Sequence, residues 1–160
     1  DTINPYIAGE EEKSEREPLK IWGTLGAQEI TLADDMTIQA TCVRVPVSDG
    51  HMAAVSVAFR AAPTHSEFIR AITEHQSPIA EYQLPSAPSQ LIQYLPDDDR
   101  PQTRLDRDYE NGMGISVGRL RDDALFDLSF VSLSHNTIRG AAGGAILMAE
   151  LLVATGYIAQ

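Results

Sequence analysis

The sequence has 160 residues, 43% hydrophobic and 22% charged, a length and composition typical of one globular domain with its own core. Its formal net charge of −11 at pH 7 argues against nucleic acid and anionic membranes as partners. No apolar run in the sequence reaches the roughly 18 to 20 residues of a membrane span. A single cysteine excludes an internal disulfide, so we expect a reducing, cytoplasmic compartment.

The first predicted element is a helix from Glu10 to Leu25. Three successive glutamates at its start favour a helix N-terminus electrostatically, and apolar residues follow at helical spacing. Pro18 is expected to break, kink or restart this helix. Glu10 and Lys13 would share one face of the helix, and from the residues alone that face is most simply a solvated charged surface.

Residues 37–47 predict a strand, because they are rich in β-branched and apolar side chains. Residues 48–50 have the composition of a turn, and the apolar residues of 51–60 alternate as in a second strand. We expect the two strands to form a hairpin-like pair. On the first of them, Cys42 and Arg44 would point to the same face.

Arg44 inside the first strand and His51 at the rim of the pair have complementary chemistry. The guanidinium of an arginine offers a planar fork of donors that fits a carboxylate or a phosphate. A histidine can take and give a proton near neutral pH. The residues alone leave two interpretations open: both side chains are solvated surface groups, or they bind an anion and transfer a proton.

A short helix is predicted over residues 63–76, with Thr64 and Glu67 as a capping box. Three further strands are predicted at residues 91–95, 114–121 and 126–133. The three consecutive aspartates at 97–99 lack the alternate spacing of a metal loop, so we expect no metal site.

A final helix is predicted from residue 137 to about 153, with Asn136 or Ser134 as its N-cap and Gly156 at its end. Glycines within it cost roughly 1 kcal/mol each in helix propensity, which suggests that another backbone or a ligand approaches closely. The order of elements predicts an α+β fold, with a mixed, largely antiparallel sheet covered by helices on one face.

Four segments resemble aspartate-semialdehyde dehydrogenase of the fungal and archaeal branch. They lie in order along the sequence, at Pro5–Lys13, Cys42–His51, Glu110–Met113 and Ser134–Gly144. The resemblance covers only the C-terminal half of that enzyme. It implies a C-terminal domain of the glyceraldehyde-3-phosphate dehydrogenase type, NADP as cofactor, and a homodimer or homotetramer formed partly through an open sheet face.

The resemblance also implies a reaction and a set of roles. The family reduces β-aspartyl phosphate to aspartate semialdehyde, a step in the biosynthesis of lysine, threonine and methionine, through a cysteine thiolate that displaces phosphate. His51 matches its acid/base and Arg44 its clamp for the substrate α-carboxylate. Glu10 matches the contact to the substrate amino group, Lys13 a phosphate contact, and Asn136 the contact to the nicotinamide.

Two parts of the family's machinery have no match in this sequence. Cys42 follows a threonine, whereas the nucleophile of the family follows an asparagine upstream, and the glycine-rich dinucleotide motif also lies upstream. We therefore interpret residues 1–160 as one catalytic and dimerisation domain, whose segment 134–160 packs on an NADP-binding Rossmann domain outside this sequence. We expect the chain alone to be inactive.

Two alternatives remain at this point. A related reductase acting on a CoA thioester, malonyl-CoA or succinyl-CoA, would use the same cysteine chemistry. Glu10 and Lys13 favour an amino-acid substrate and inorganic phosphate over this alternative. A non-catalytic dimerisation module would keep the sheet without requiring His51 or Arg44.

Overall fold

The computed structural model describes residues 2–158. Two compact units divide between Val47 and Ser48. Among the described residues, no helix is both long and apolar enough to cross a membrane.

In the N-terminal unit, α1 spans Glu10–Ile21 and ends earlier than predicted. Pro18 lies inside it, so the predicted break is wrong. The proline removes one N–H donor, yet its carbonyl accepts from the Trp22 amide at 3.0 Å and helps close the last turn. Two short strands follow, β1 at Thr24–Leu25 and β2 at Ile30–Thr31, paired antiparallel. They replace the end of the predicted helix and lie partly beyond it.

The strand predicted over residues 37–47 is wrong. Apart from one isolated antiparallel bridge between Asn4 and Arg44, this segment forms no strand in the part of the chain that the structure describes. Its backbone is instead held by carboxylates of α1. The Cys42 amide donates to Glu11 Oε1 at 2.9 Å and the Ala40 amide to Glu15 Oε1 at 3.0 Å. These carboxylates thus accept the backbone hydrogen bonds that a neighbouring strand would otherwise accept.

The C-terminal unit is built on a four-stranded sheet. Its strands are β3 at His51–Val57, β4 at Ile92–Leu95, β5 at Ile115–Asp122 and β6 at Leu128–Ser134. The order is β3-β6-β5-β4, with β4 and β5 parallel and the other neighbours antiparallel. The predicted α+β fold and the mixed, largely antiparallel sheet are confirmed. The predicted hairpin is wrong, because β3 pairs with β6 and places His51 opposite Ser134.

One face of this sheet carries α2, at His65–Thr73, which begins at the predicted capping box. The Thr64 amide donates to Glu67 Oε2 at 2.8 Å, and the Glu67 amide donates back to Thr64 Oγ1 at 3.3 Å. Phe68 of α2 packs on Phe130 of β6, with ring centroids 5.1 Å apart. On the opposite side of β3, Met52 is 47% exposed.

A short helix, α3 at Thr103–Asp106, lies between β4 and β5. After β6 the chain forms a π-helical turn at Ile138–Ala142 and then α4 at Gly143–Ala154. The predicted last helix is confirmed apart from this first turn. Gly156, with φ +74°, ends α4, and its amide donates to the Val153 carbonyl at 3.0 Å, as predicted for a C-terminal glycine.

Close packing explains one glycine of the final helix. A Cβ on Gly143 would lie 2.6 Å from the Met113 sulfur, so a side chain there would force the buried Met113 to move. The neighbouring α4 surface is unusually apolar: Ile146 is 55% and Met148 54% exposed. The packing of segment 134–160 on another domain stays a prediction, and its last two residues lie outside the described ones.

Candidate active site

Three of the predicted site residues lie in the N-terminal unit. Glu10 and Lys13 share a face at the start of α1, with Lys13 Nζ 3.9 Å from Glu10 Oε1. Both side chains are substantially exposed, so this ion pair contributes little to stability. Each charged group therefore stays available to a ligand at little energetic cost.

Arg44 is fixed through its backbone. Its amide donates to the Asn4 carbonyl at 2.8 Å, and its carbonyl accepts from the Asn4 amide at 2.9 Å. Two residues earlier, Cys42 is held by α1, the helix that carries Glu10 and Lys13. The Arg44 side chain is exposed, and within residues 2–47 no hydrogen bond or ion pair engages its guanidinium. The backbone is thus anchored while all five donors remain free.

The other two predicted residues lie in the C-terminal unit, where Asn136 bonds the residue before His51. His51 is the first residue of β3 and is exposed. Asn136 follows β6 by two residues, and its Oδ1 accepts from the Gly50 amide at 2.7 Å. Asn136 was predicted as a helix N-cap, and that prediction is wrong: no side chain caps the π-helical turn from the N-cap position. Its side-chain oxygen instead accepts a hydrogen bond from Gly50, the residue before His51.

The Gly50 amide also fixes which way the Asn136 amide group points. A backbone N–H can only donate, so the oxygen of Asn136 must face it and the NH2 group must face away. Asn136 is half-buried. It can therefore offer two N–H donors to a neighbouring ligand with carbonyl or carboxamide oxygens, as the predicted nicotinamide contact requires.

Sequence reasoning missed two residues around this position. Arg107 donates to Ser48 Oγ at 2.7 Å and to the Asp49 carbonyl at 3.2 Å. His135 is 6% exposed, and its Nδ1 accepts from the Ile138 amide at 3.3 Å. It thereby satisfies a donor of the first helical turn. Histidine is not a typical capping residue, and an arginine after a short helix carries no pattern, so neither role had a signal in the sequence.

An ion pair between the partly exposed Arg100 and the buried Asp106 supports the segment that carries Arg107. The Arg100 guanidinium bonds to the carboxylate of Asp106, which is 5% exposed and also accepts from the Gln102 amide at 2.6 Å. The bond from Arg100 is the main reason why the pKa of Asp106 lies below its ordinary value. A carboxylate with this many donors is stabilised in its charged form.

The third and fourth of the segments singled out in the sequence contact each other. Arg139 donates to the Met113 carbonyl at 2.6 Å, and burial lowers the pKa of the Arg139 guanidinium. Glu110, in the same segment as Met113, accepts from the amide and the hydroxyl of Ser89 at 2.8 and 2.9 Å. Residues 110–113 and 134–144 thus form one support for the start of the last helix. Across residues 2–158, no cluster of three or more His, Cys, Asp or Glu could hold a metal ion.

Comparison with known proteins gives this arrangement a family. The sequence profile of the semialdehyde dehydrogenase dimerisation domain matches residues 1–139. The chain belongs to the semialdehyde dehydrogenase dimerisation-domain family. It is 48% identical to an aspartate-semialdehyde dehydrogenase of Aspergillus fumigatus, over 99% of this chain and 46% of that protein. It is 46% identical to that of Archaeoglobus fulgidus, over 96% of this chain and 43% of that protein.

The fold agrees with the same family. The crystal structure of aspartate-semialdehyde dehydrogenase with NADP from Candida albicans matches this semialdehyde dehydrogenase domain with a TM-score of 0.90 and 44% identity. The match covers 99% of this chain and 46% of that one. The chain therefore spans about half the length of the relatives it matches. The family predicted from the four segments is confirmed, and so is its fold.

Proposed function

We propose that this chain supplies the acid/base, the substrate-binding groups and the subunit interface of an NADP-dependent aspartate-semialdehyde dehydrogenase. The observation that carries the proposal is the bond between the Gly50 amide and Asn136 Oδ1. It joins the backbone beside the predicted acid/base to the predicted nicotinamide contact. High identity to enzymes of this name over almost the whole chain supports the same conclusion.

Arg44, Glu10 and Lys13 are proposed to bind the substrate. Arg44 has an anchored backbone and a free fork of donors, which suits bidentate binding of an α-carboxylate. Glu10 would receive the substrate ammonium and Lys13 the departing phosphate. Holding the acyl phosphate by its two ends fixes the reacting carbon, and such orientation can remove several kcal/mol from a barrier.

His51 is proposed as the general acid and base. In the reductive direction it would take the proton of the attacking thiol, protonate the oxyanion left by hydride transfer to the thioester, and take that proton back as the thiohemiacetal collapses to the aldehyde and the free thiolate. The attacking cysteine is proposed to belong to a domain outside this sequence. Cys42 is half-buried, with its sulfur 3.8 Å from Ser14 Oγ, and it takes no part in the proposed reaction.

NADP would be held mainly by that other domain and would supply the hydride. On this chain, the residue that fits the cofactor is Asn136, because its NH2 group is directed away from Gly50 and is free to donate. Such a donor would orient the carboxamide of the nicotinamide. The exposed apolar residues of α4 provide a surface for the nucleotide-binding domain, in agreement with the length of the relatives.

The chain is also proposed to form a homodimer, alone or within a homotetramer, as the name of its family domain indicates. The exposed face of β3 around Met52 supports this, since an open sheet face of this kind suits a second subunit.

A substrate comparison on the complete enzyme tests the proposal. Reduction of NADP with aspartate semialdehyde should require inorganic phosphate. The rate with malonate or succinate semialdehyde and CoA should be negligible. The opposite preference would assign the chain to the CoA-thioester reductases, and no turnover with either pair would favour a non-catalytic dimerisation module.

A further inference from the structure

The turn immediately before His51 is held by two distant segments of the C-terminal unit. Arg107 donates from one nitrogen to Ser48 Oγ at 2.7 Å and to the Asp49 carbonyl at 3.2 Å. From the other side, the Gly50 amide donates to Asn136 Oδ1 at 2.7 Å. Every residue of the turn thus has a partner far away in sequence, which is unusual for an exposed connection.

Arg107 is itself firmly placed. Only 21% of its side chain is exposed, so most of the side chain is packed against the protein. The residue before it, Asp106, is buried and ion-paired with Arg100. The Asp106 carbonyl also accepts from Ser116 Oγ of β5 at 3.3 Å. These bonds connect the base of Arg107 to the centre of the sheet.

The turn lies close against α3 and β6. Gly50 has a φ of +115°, which strains any residue with a side chain. A Cβ at this position would lie 3.1 Å from Thr103 Cγ2 and 3.2 Å from Leu133 Cδ1. The Gly50 backbone therefore lies close against Thr103 of α3 and Leu133 of β6, while Arg107 holds the two residues before it.

We propose that Arg107 is a positioning residue that fixes the location of His51. The inference rests on the proposed acid/base role of His51. Within residues 48–158, no hydrogen bond or ion pair engages the exposed imidazole, so its location depends on the backbone that enters β3. Arg107 sets that backbone by bonding two of the three residues before it, without contacting the substrate.

The first test is Arg107→Gln in the complete enzyme. Turnover should fall roughly ten- to a hundredfold, because a displacement of about 1 Å can cost two orders of magnitude. The KM for aspartate semialdehyde should stay unchanged. Arg104→Gln is the matched control, since Arg104 is exposed on α3 and should leave turnover unchanged. A wild-type rate for Arg107→Gln would overturn the proposal.

A double-mutant comparison separates positioning from general stability. In a His51→Asn background, adding Arg107→Gln should lower turnover no further, because the group that Arg107 positions is already gone. Equal losses in both backgrounds would overturn the proposal. Ser48→Ala removes a single acceptor of Arg107 and is the milder variant if Arg107→Gln folds poorly. It should give a smaller loss that also disappears in the His51→Asn background.

Hydrogen exchange of the complete enzyme distinguishes failure of this inference from failure of the proposed function. Arg107→Gln should deprotect the Gly50 amide, which donates to Asn136, and leave β3 protected. Unchanged protection would overturn the proposal that Arg107 fixes the turn. Deprotection together with an active His51→Asn enzyme would support the role of Arg107 in fixing the turn and reject the acid/base assignment of His51.

Discussion

The amide of Gly50 donates a hydrogen bond of 2.7 Å to the side-chain oxygen of Asn136, 86 residues further along the chain. The bond ties the turn before His51 to the start of the last helix. His51, proposed to transfer a proton, and Asn136, proposed to contact the cofactor, thereby depend on the same hydrogen bond. Displacing either residue is expected to disturb the other.

Substitutions at Asn136 separate its two roles. Asn136→Asp keeps an acceptor for the Gly50 amide and loses the NH2 donor, so the KM for NADPH should rise about fivefold, the worth of one hydrogen bond of about 1 kcal/mol. Asn136→Ala should raise this KM and also lower the free energy of unfolding by about 1 kcal/mol. Steady-state kinetics and thermal unfolding of the complete enzyme measure both effects. An unchanged KM in both variants would reject the cofactor contact.

Removing the imidazole of His51 should affect the chemical step. In the complete enzyme, His51→Asn is expected to lower turnover by roughly 10² to 10⁴, the usual contribution of a positioned acid/base. His65→Asn is a suitable control, because His65 is exposed on α2 and contacts Asp122. A similar loss in the control would point to a general effect of histidine removal.

Arg44→Lys tests the carboxylate clamp. A lysine keeps the charge and loses the planar fork, so the KM for aspartate semialdehyde should rise roughly tenfold, with a smaller effect on turnover. The backbone bonds to Asn4 do not depend on the side chain, so the fold should be retained. Arg16→Lys on α1 should leave the KM unchanged. An Arg44→Lys enzyme with wild-type KM would contradict the assignment.

Asp106 predicts a pH dependence of stability. Its pKa is lowered in the folded state, chiefly by the bond from Arg100. The stabilisation is therefore present above its ordinary value of 3.8 and is lost as the pH falls through the lower folded value. Asp106→Asn should lower the free energy of unfolding by about 2 kcal/mol at pH 7, since it leaves Arg100 without its partner.

Unfolding of wild type and Asp106→Asn, compared at pH 7 and in steps down to pH 2, checks this dependence. The difference between the two should shrink with acidity. Asp98→Asn, on the exposed loop nearby, should behave as wild type throughout. A difference that stays constant with pH would mean that the carboxylate charge is not the source of the stabilisation.

The elements that the sequence predicted well are those with local causes. The capping box at Thr64 specifies the start of α2, and the alternation of apolar residues over 51–60 predicts β3. Gly156 ends α4 because it can adopt positive φ. In each case the physical reason lies within a few residues of the element.

The errors have distant causes. Val43 and Val45 favour a strand, but the segment around them bonds to Asn4 and to carboxylates of α1. Asn136 is a good N-cap by residue type, but the Gly50 amide, far away in sequence, takes its oxygen. Local propensity could not reveal either partner. Nor could it reveal Arg107, whose acceptors are 58 and 59 residues away.

The most direct test of the account is phosphate-dependent reduction of NADP by the complete enzyme with aspartate semialdehyde. It should be measured side by side for wild type, Cys42→Ser and His51→Asn. The account predicts wild-type turnover for Cys42→Ser and a loss of roughly 10² or more for His51→Asn. Loss of activity in Cys42→Ser would make Cys42 the nucleophile. Full activity in His51→Asn would remove the acid/base from this chain, and either result would contradict the account.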